Sequence, residues 1–169
     1  MLILSGYAIS WNVLSNKIDK KDDPFYMQVN EPYYEKINKN AFTTSLNQNN
    51  QVALIEHDSS QEIGRCDSFN LIFQEDDLGL RFQLKLKEDT LGTATFFKVL
   101  NKELSKVSIS FYPLEYKYEK LNRNIRTIYK ADLVEISLTN NPLYLDTSVT
   151  IGKEKEFLLG KIDKLISLM

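Results

Sequence analysis

Leu80, Phe82, Leu84 and Leu86 alternate with Arg81, Gln83, Lys85 and Lys87. A period of two belongs to a pleated strand with one apolar and one wet face. The run follows DSFNLIFQ and the acidic stretch EDDLG, and together they predict a β-hairpin. Further strands are predicted over Leu2 to Leu14, over Phe25 to Val29, in QVALIEHD, in VSISFYPLEYKYEK and in IRTIYKADLVEISLTN, the last as one strand or a bent pair. Pro113 implies a bulge or an edge in its strand. A loop is expected around Gly64. Helices are predicted in three places. Tyr34, Ile37, Phe42 and Leu46 have a rough helical spacing. DTLGTATFFKVLNKELSK has Asp89 or Thr90 as its N-cap. In the tail KEKEFLLGKIDKLISLM, Leu158, Ile162, Leu165 and Ile166 form a stripe. Strands dominate, and the pattern predicts a mainly β fold with peripheral helices, built as a small, mainly antiparallel barrel.

One domain of 169 residues can bury a real core. A formal net charge of -2 argues against nucleic acid as the main partner. The single cysteine, Cys66, precludes an internal disulfide and fits a reducing compartment. No signal peptide and no membrane span are expected from the apolar runs. No glycine-rich phosphate loop occurs.

His57 is the only histidine, and acid–base chemistry near neutral pH would fall to it. It follows the apolar run VALIE. From composition alone, a histidine without chemistry is the simpler reading. One histidine and one cysteine make a zinc site a poor fit. The acids of QEDDLG read more simply as a solvated hairpin tip than as a cation site. Ser108 and Ser110 share one face of a strand, with Val107, Ile109 and Phe111 on the other. That arrangement places a hydroxyl nucleophile in a groove, or is simply a wet face. Glu135 shares a face with Leu133 and Ser137. A carboxylate in such an apolar strand needs solvent or a partner, and an imidazole would serve.

In order along the chain, six blocks carry a resemblance: GYAISWNVLS, EKINKNAFTTSL, VALIEHDSSQEIGR, EDDLGLRFQLKL, KELSKVSISF and ADLVEISLTNNP. They resemble the opening Gly-x-Ala strand, the E-x-I-x-x-G-A-F-x-x-x-L segment, the histidine block, the D-x-x-G-L hairpin, the S-x-G-F nucleophile block and the closing L-x-E-V-S-L-x-x-x-P block of the prohead (capsid maturation) protease family of tailed bacteriophages. The resemblance covers most of residues 1–150. Three positions depart from it: Asn40 and Ser110 stand where glycine is expected, and Leu143 where alanine is common. Ser110 would narrow the cleft or alter its hydrogen bonding, and it is the rival nucleophile.

The resemblance implies a serine endopeptidase with a fold similar to the herpesvirus assembly protease, a β-barrel surrounded by helices. It implies Ser108 as nucleophile, His57 as base and Glu135 as the group orienting the imidazole, with Asp58 and Asp132 as rivals for that last role. No cofactor and no metal are implied. The implied substrates are scaffold and major capsid protein precursors and the protease itself, within the prohead in the bacterial host cytoplasm. Residues 1–152 would form the protease domain. Residues 153–169 would form a helix packed on the barrel or used in a homodimer or higher oligomer. The alternative is an inactive protease-like scaffold or capsid-binding protein, which the Ser110 departure favours.

Overall fold

The computed structural model describes residues 1–19, 31–120 and 122–169. The strand expected over Phe25 to Val29 lies outside the described residues. In chain order the elements are β1 (Ile3–Ser10), β2 (Tyr34–Ile37), α1 (Thr43–Leu46), β3 (Val52–Ile55), β4 (Asp58–Arg65), β5 (Leu71–Glu75), β6 (Gly79–Lys85), α2 (Thr90–Leu100), β7 (Lys106–Lys120), β8 (Asn124–Thr139), β9 (Ser148–Ile151) and α3 (Glu154–Ser167).

The β5–β6 hairpin forms as the alternation predicts, and its sheet continues antiparallel through β1 to β9. Leu80, Phe82 and Leu84 of β6 point into the core. The opposite face is not fully wet, because α3 covers Gln83. Gly160 permits that approach: a Cβ there would lie 2.4 Å from Gln83 Oε1. Close approach also explains Gly6, where a Cβ would meet the Ser148 carbonyl oxygen of the neighbouring strand at 1.8 Å.

The second sheet is organised around β8. β7 runs antiparallel to it along almost its whole length. On the other edge β2 pairs parallel with Ile125 to Ile128, and β3 pairs parallel with Glu135 to Leu138. β4 then pairs antiparallel with β3. Side chains from both sheets share one core, including Leu4, Phe82, Val107, Ile136 and Leu138. The fold is therefore mainly β with a few helices, as expected, but the second sheet is mixed rather than antiparallel. No closed barrel forms among the described residues. Where β9 comes up to β7, the contact is a Val149 N–H to Ser105 carbonyl bond of 3.2 Å and a Val107 N–H to Thr147 Oγ1 bond of 3.1 Å, not a ladder.

Four local expectations are corrected. The segment from Tyr34 is a strand, with Glu35 and Ile37 buried alternately, and only Thr43–Leu46 is helical. The inward residue Glu35 is charged, so the apolar spacing missed the period of two. Its carboxylate is compensated by the Arg126 guanidinium, a hydrogen-bonded ion pair, and by the Tyr144 hydroxyl at 2.5 Å. The loop around Gly64 is strand β4, a polar edge with Ile63 and Gly64 buried. β9 was not foreseen at all. In α3, the stripe of Leu158, Ile162, Leu165 and Ile166 is exposed, and Phe157 anchors the helix against Ile3 and Ile72.

Candidate active site

His57 sits in a two-residue connection. Ile55 pairs with Asp58, leaving Glu56 (φ 49°) and His57 (φ 60°) both in the left-handed region. Tight hairpins need such angles, and side chains other than glycine or asparagine adopt them reluctantly. Residues of β8 hold the turn in place. Glu56 N–H donates to the Leu138 carbonyl at 3.1 Å, His57 N–H donates to Ser137 Oγ at 3.1 Å, and Thr139 Oγ1 donates to Glu56 Oε2 at 2.7 Å. The imidazole is thereby fixed over the C-terminal half of β8.

There it meets Glu135, which is only 6% exposed. His57 Nδ1 hydrogen-bonds Glu135 Oε1. The same oxygen accepts from Ser110 Oγ at 2.8 Å, and Ser110 Oγ lies 3.4 Å from Nδ1. Ser137 Oγ approaches the carboxylate at 3.4 and 3.5 Å. These donors hold the Glu135 carboxyl below its ordinary value although burial pushes it up. The hydrogen bond that Nδ1–H donates to Glu135 raises His57 above its ordinary value, against the opposing effect of burial. With Nδ1–H directed at the carboxylate, the neutral ring carries its lone pair on Nε2. No side chain among the described residues hydrogen-bonds that nitrogen. A ring held and polarised at one nitrogen and open at the other can take a proton from a hydroxyl.

The hydroxyls come from β7. Ser110 lies opposite Glu135 and Ser108 opposite Ser137. Ser108 is 7% exposed, and its hydroxyl makes no hydrogen bond to His57 among the described residues. The structure thus brings His57 and Glu135 into direct contact, places Ser110 against both, and sets Ser108 two residues further along the same strand. The rival carboxylates are elsewhere engaged or apart. Asp58 accepts from Ser60 and Gln61, and Asp132 pairs with Tyr112 in the β7–β8 ladder. At the tip of the β5–β6 hairpin, Asp76 accepts from Leu78 N–H, Gly79 N–H and the Tyr7 hydroxyl, which is the work of a turn residue. Among the described residues no cluster of His, Cys, Asp or Glu is arranged to hold a metal. Cys66 lies buried, and burial pushes its thiol up to about 12.

The register corrects one expectation. Ser110 pairs with Glu135 but Phe111 pairs with Leu133, so Val134 is an extra residue in β8. This bulge turns Leu133 into the core instead of onto the face of Glu135. Sequence reasoning missed the part of Ser137, which grips both the His57 backbone and the Glu135 carboxylate. Its signal was present: it lies two residues beyond Glu135 on one strand, so the two share a face.

No curated protein matches the chain. A family profile, that of the caudovirus prohead serine proteases, matches residues 1–158, from before β1 into the first turn of α3. With that match over most of its length, the chain belongs to the caudovirus prohead serine protease family.

Proposed function

We propose that this protein is a serine endopeptidase that cleaves scaffold and major capsid protein precursors, and itself, as the prohead matures. It would act in the prohead interior, inside the bacterial host. Residues 1–152 form the protease unit, and α3 is an addition to it. The observation that carries the reading is the pairing of His57 Nδ1 with the buried Glu135, beside a strand that presents two serines.

Ser108 is the nucleophile in this reading. Its Oγ attacks the scissile carbonyl while His57 Nε2 takes the hydroxyl proton, and the C–N bond breaks as the imidazolium returns that proton to the leaving amine. Water then hydrolyses the acyl-enzyme by the same base. In this reading a Ser108–His57 hydrogen bond forms only when substrate closes the site, as catalytic hydrogen bonds are often completed in the substrate complex. Glu135 holds the tautomer and stabilises the imidazolium.

Ser110 has a competing claim, because its hydroxyl already touches the His57–Glu135 pair. It contacts Nδ1 and the carboxylate, however, and a proton passed to the base must reach Nε2. The second reading, an inactive scaffold-like protein, is favoured by the same intrusion of Ser110 and by the absence of a Ser108–His57 bond. Co-expression with capsid and scaffold precursors, read by intact-mass spectrometry, separates the three. Truncation by wild type and Ser110→Ala but not by Ser108→Ala supports the proposal. Truncation by Ser108→Ala but not by Ser110→Ala moves the nucleophile. Proheads that assemble with no truncation by wild type establish the scaffold role.

A further inference from the structure

Glu135 Oε1 serves His57 Nδ1 and Ser110 Oγ at once, with the Ser137 hydroxyl farther off at 3.5 Å. A hydrogen bond to an ionised carboxylate is strong, and each additional donor draws electron density from the oxygen that the others use. A neutral hydroxyl on Oε1 therefore weakens the hold of that oxygen on the imidazolium. Glycine at position 110 would leave the imidazole as the one close donor to that oxygen, with Ser137 Oγ at 3.5 Å. We propose that Ser110 is a positioning residue that shares the Glu135 carboxylate with His57 and so lowers the basicity of the imidazole toward neutrality. The inference rests on the reading of His57 as the base, and it assigns the departure at Ser110 a purpose other than narrowing a cleft.

The electrostatic surroundings make the effect readable. From β8 the ionised group facing the imidazole is Glu135. From its own turn comes Glu56, whose carboxylate is bonded by Thr139 and which also favours the charged ring. From β4 comes Asp58, already bonded by Ser60 and Gln61. From β7 the ring meets the Ser110 hydroxyl, while Lys106 donates its ammonium protons to the Leu145 and Thr147 carbonyls. A base beside two acids is at risk of remaining protonated at neutral pH, when it must be neutral to act. A hydroxyl that tempers the closest acid counters this.

The chain contains one histidine, so the ring C–H proton resonances report His57 without assignment ambiguity. The test is an NMR pH titration of the full chain as wild type, Ser110→Ala, Ser110→Gly and Ser110→Thr. Ala and Gly should raise the His57 midpoint by roughly half a unit, and Thr, which keeps the hydroxyl, should restore it. A midpoint unchanged or lowered in both Ala and Gly overturns the proposal, the lowered case meaning that Ser110 instead holds Glu135 against the ring. This readout needs no proteolysis, so failure of the titration prediction is distinct from failure of the protease reading, which the Ser108→Ala comparison decides. The acid limb of the cleavage profile should move upward by the same amount in Ser110→Ala.

Discussion

Replacing Arg126 by methionine should remove about 3–5 kcal/mol of stability. Glu35 and Arg126 are 1% and 4% exposed, and their ion pair joins β2 to β8 in the second sheet. Methionine can follow the course of the arginine stem beneath the Tyr33 and Tyr118 rings, which lie 4.9 and 6.0 Å from the guanidinium carbon. Packing is therefore largely kept, and what is lost is the charge that compensates Glu35. Tyr144 still donates to that carboxylate, but taking the Arg126 cation away from a buried anion is expensive. Against a total of about 5–15 kcal/mol for a domain, the loss is a large fraction. Urea denaturation at pH 7 measures it. The destabilisation should shrink as pH falls, because the Glu35 carboxyl, deprived of Arg126, gains a raised pKa and escapes the penalty by protonation. The double variant Glu35→Leu/Arg126→Met should recover most of the stability, short by about 1–3 kcal/mol for the orphaned Tyr144 hydroxyl. A single variant within about 1 kcal/mol of wild type would refute the reasoning, as would a double variant less stable than the single one.

Three further perturbations test the site and its frame. Cleavage should rise with pH through the His57 midpoint, which Glu135 holds above the ordinary 6.5, and Glu135→Gln should bring that midpoint down and cut kcat by about 10²–10⁴-fold. In stability the signs are opposite for the two partners. The His57 contribution is complete below 6.5 and is lost as pH rises through the raised folded value, whereas Glu135, held below 4.5, contributes above that value and loses its contribution as pH falls through the lowered one; thermal melts across this range check both limbs. Ser137→Ala, at a fully buried position, should cost about 1–3 kcal/mol in urea titrations and loosen the His57 turn. Gly6→Ala should destabilise by about 1–3 kcal/mol, because its Cβ would meet the Ser148 carbonyl and β9 would have to part from β1.

The parts of this molecule that are local in sequence were the legible ones. The alternation through Leu80–Leu86 marked β6, and Asp89 marked the start of α2, whose Gly92 N–H it caps. Pro113 marked an irregularity, and the β7–β8 register does shift beside it. His57 stood out as a lone histidine after a strand, and Glu135 as a carboxylate in an apolar run that needed a partner. Their contact is a matter of parallel β3–β8 pairing, and no local pattern reveals pairing between segments so far apart. The nearness of Ser110 to Glu135, in preference to Ser108, depends on the antiparallel β7–β8 register, and the turning of Leu133 into the core depends on the bulge at Val134. Glu35 misled the reading because burial there follows charge compensation from Arg126 and Tyr144, not hydrophobicity. In α3 the stripe is real but faces outward, and Phe157, outside that stripe, makes the anchor.

The two halves of the site lie at different distances along the chain. Ser110 and Glu135 are 25 residues apart across one antiparallel pair, whereas His57 and Glu135 are 78 apart. Hairpins close within microseconds, while non-local parallel pairing waits on a larger loop-closure entropy. The serine strand and Glu135 should thus meet early in folding, and His57 should arrive with the docking of β3, among the last events. In the proposed reading, a newly made chain would carry its nucleophile before it could use it, so cutting ability would report completed folding. On refolding from urea, recovery of cleavage should lag recovery of the far-ultraviolet strand signal; simultaneous recovery would show that the base docks with the hairpin.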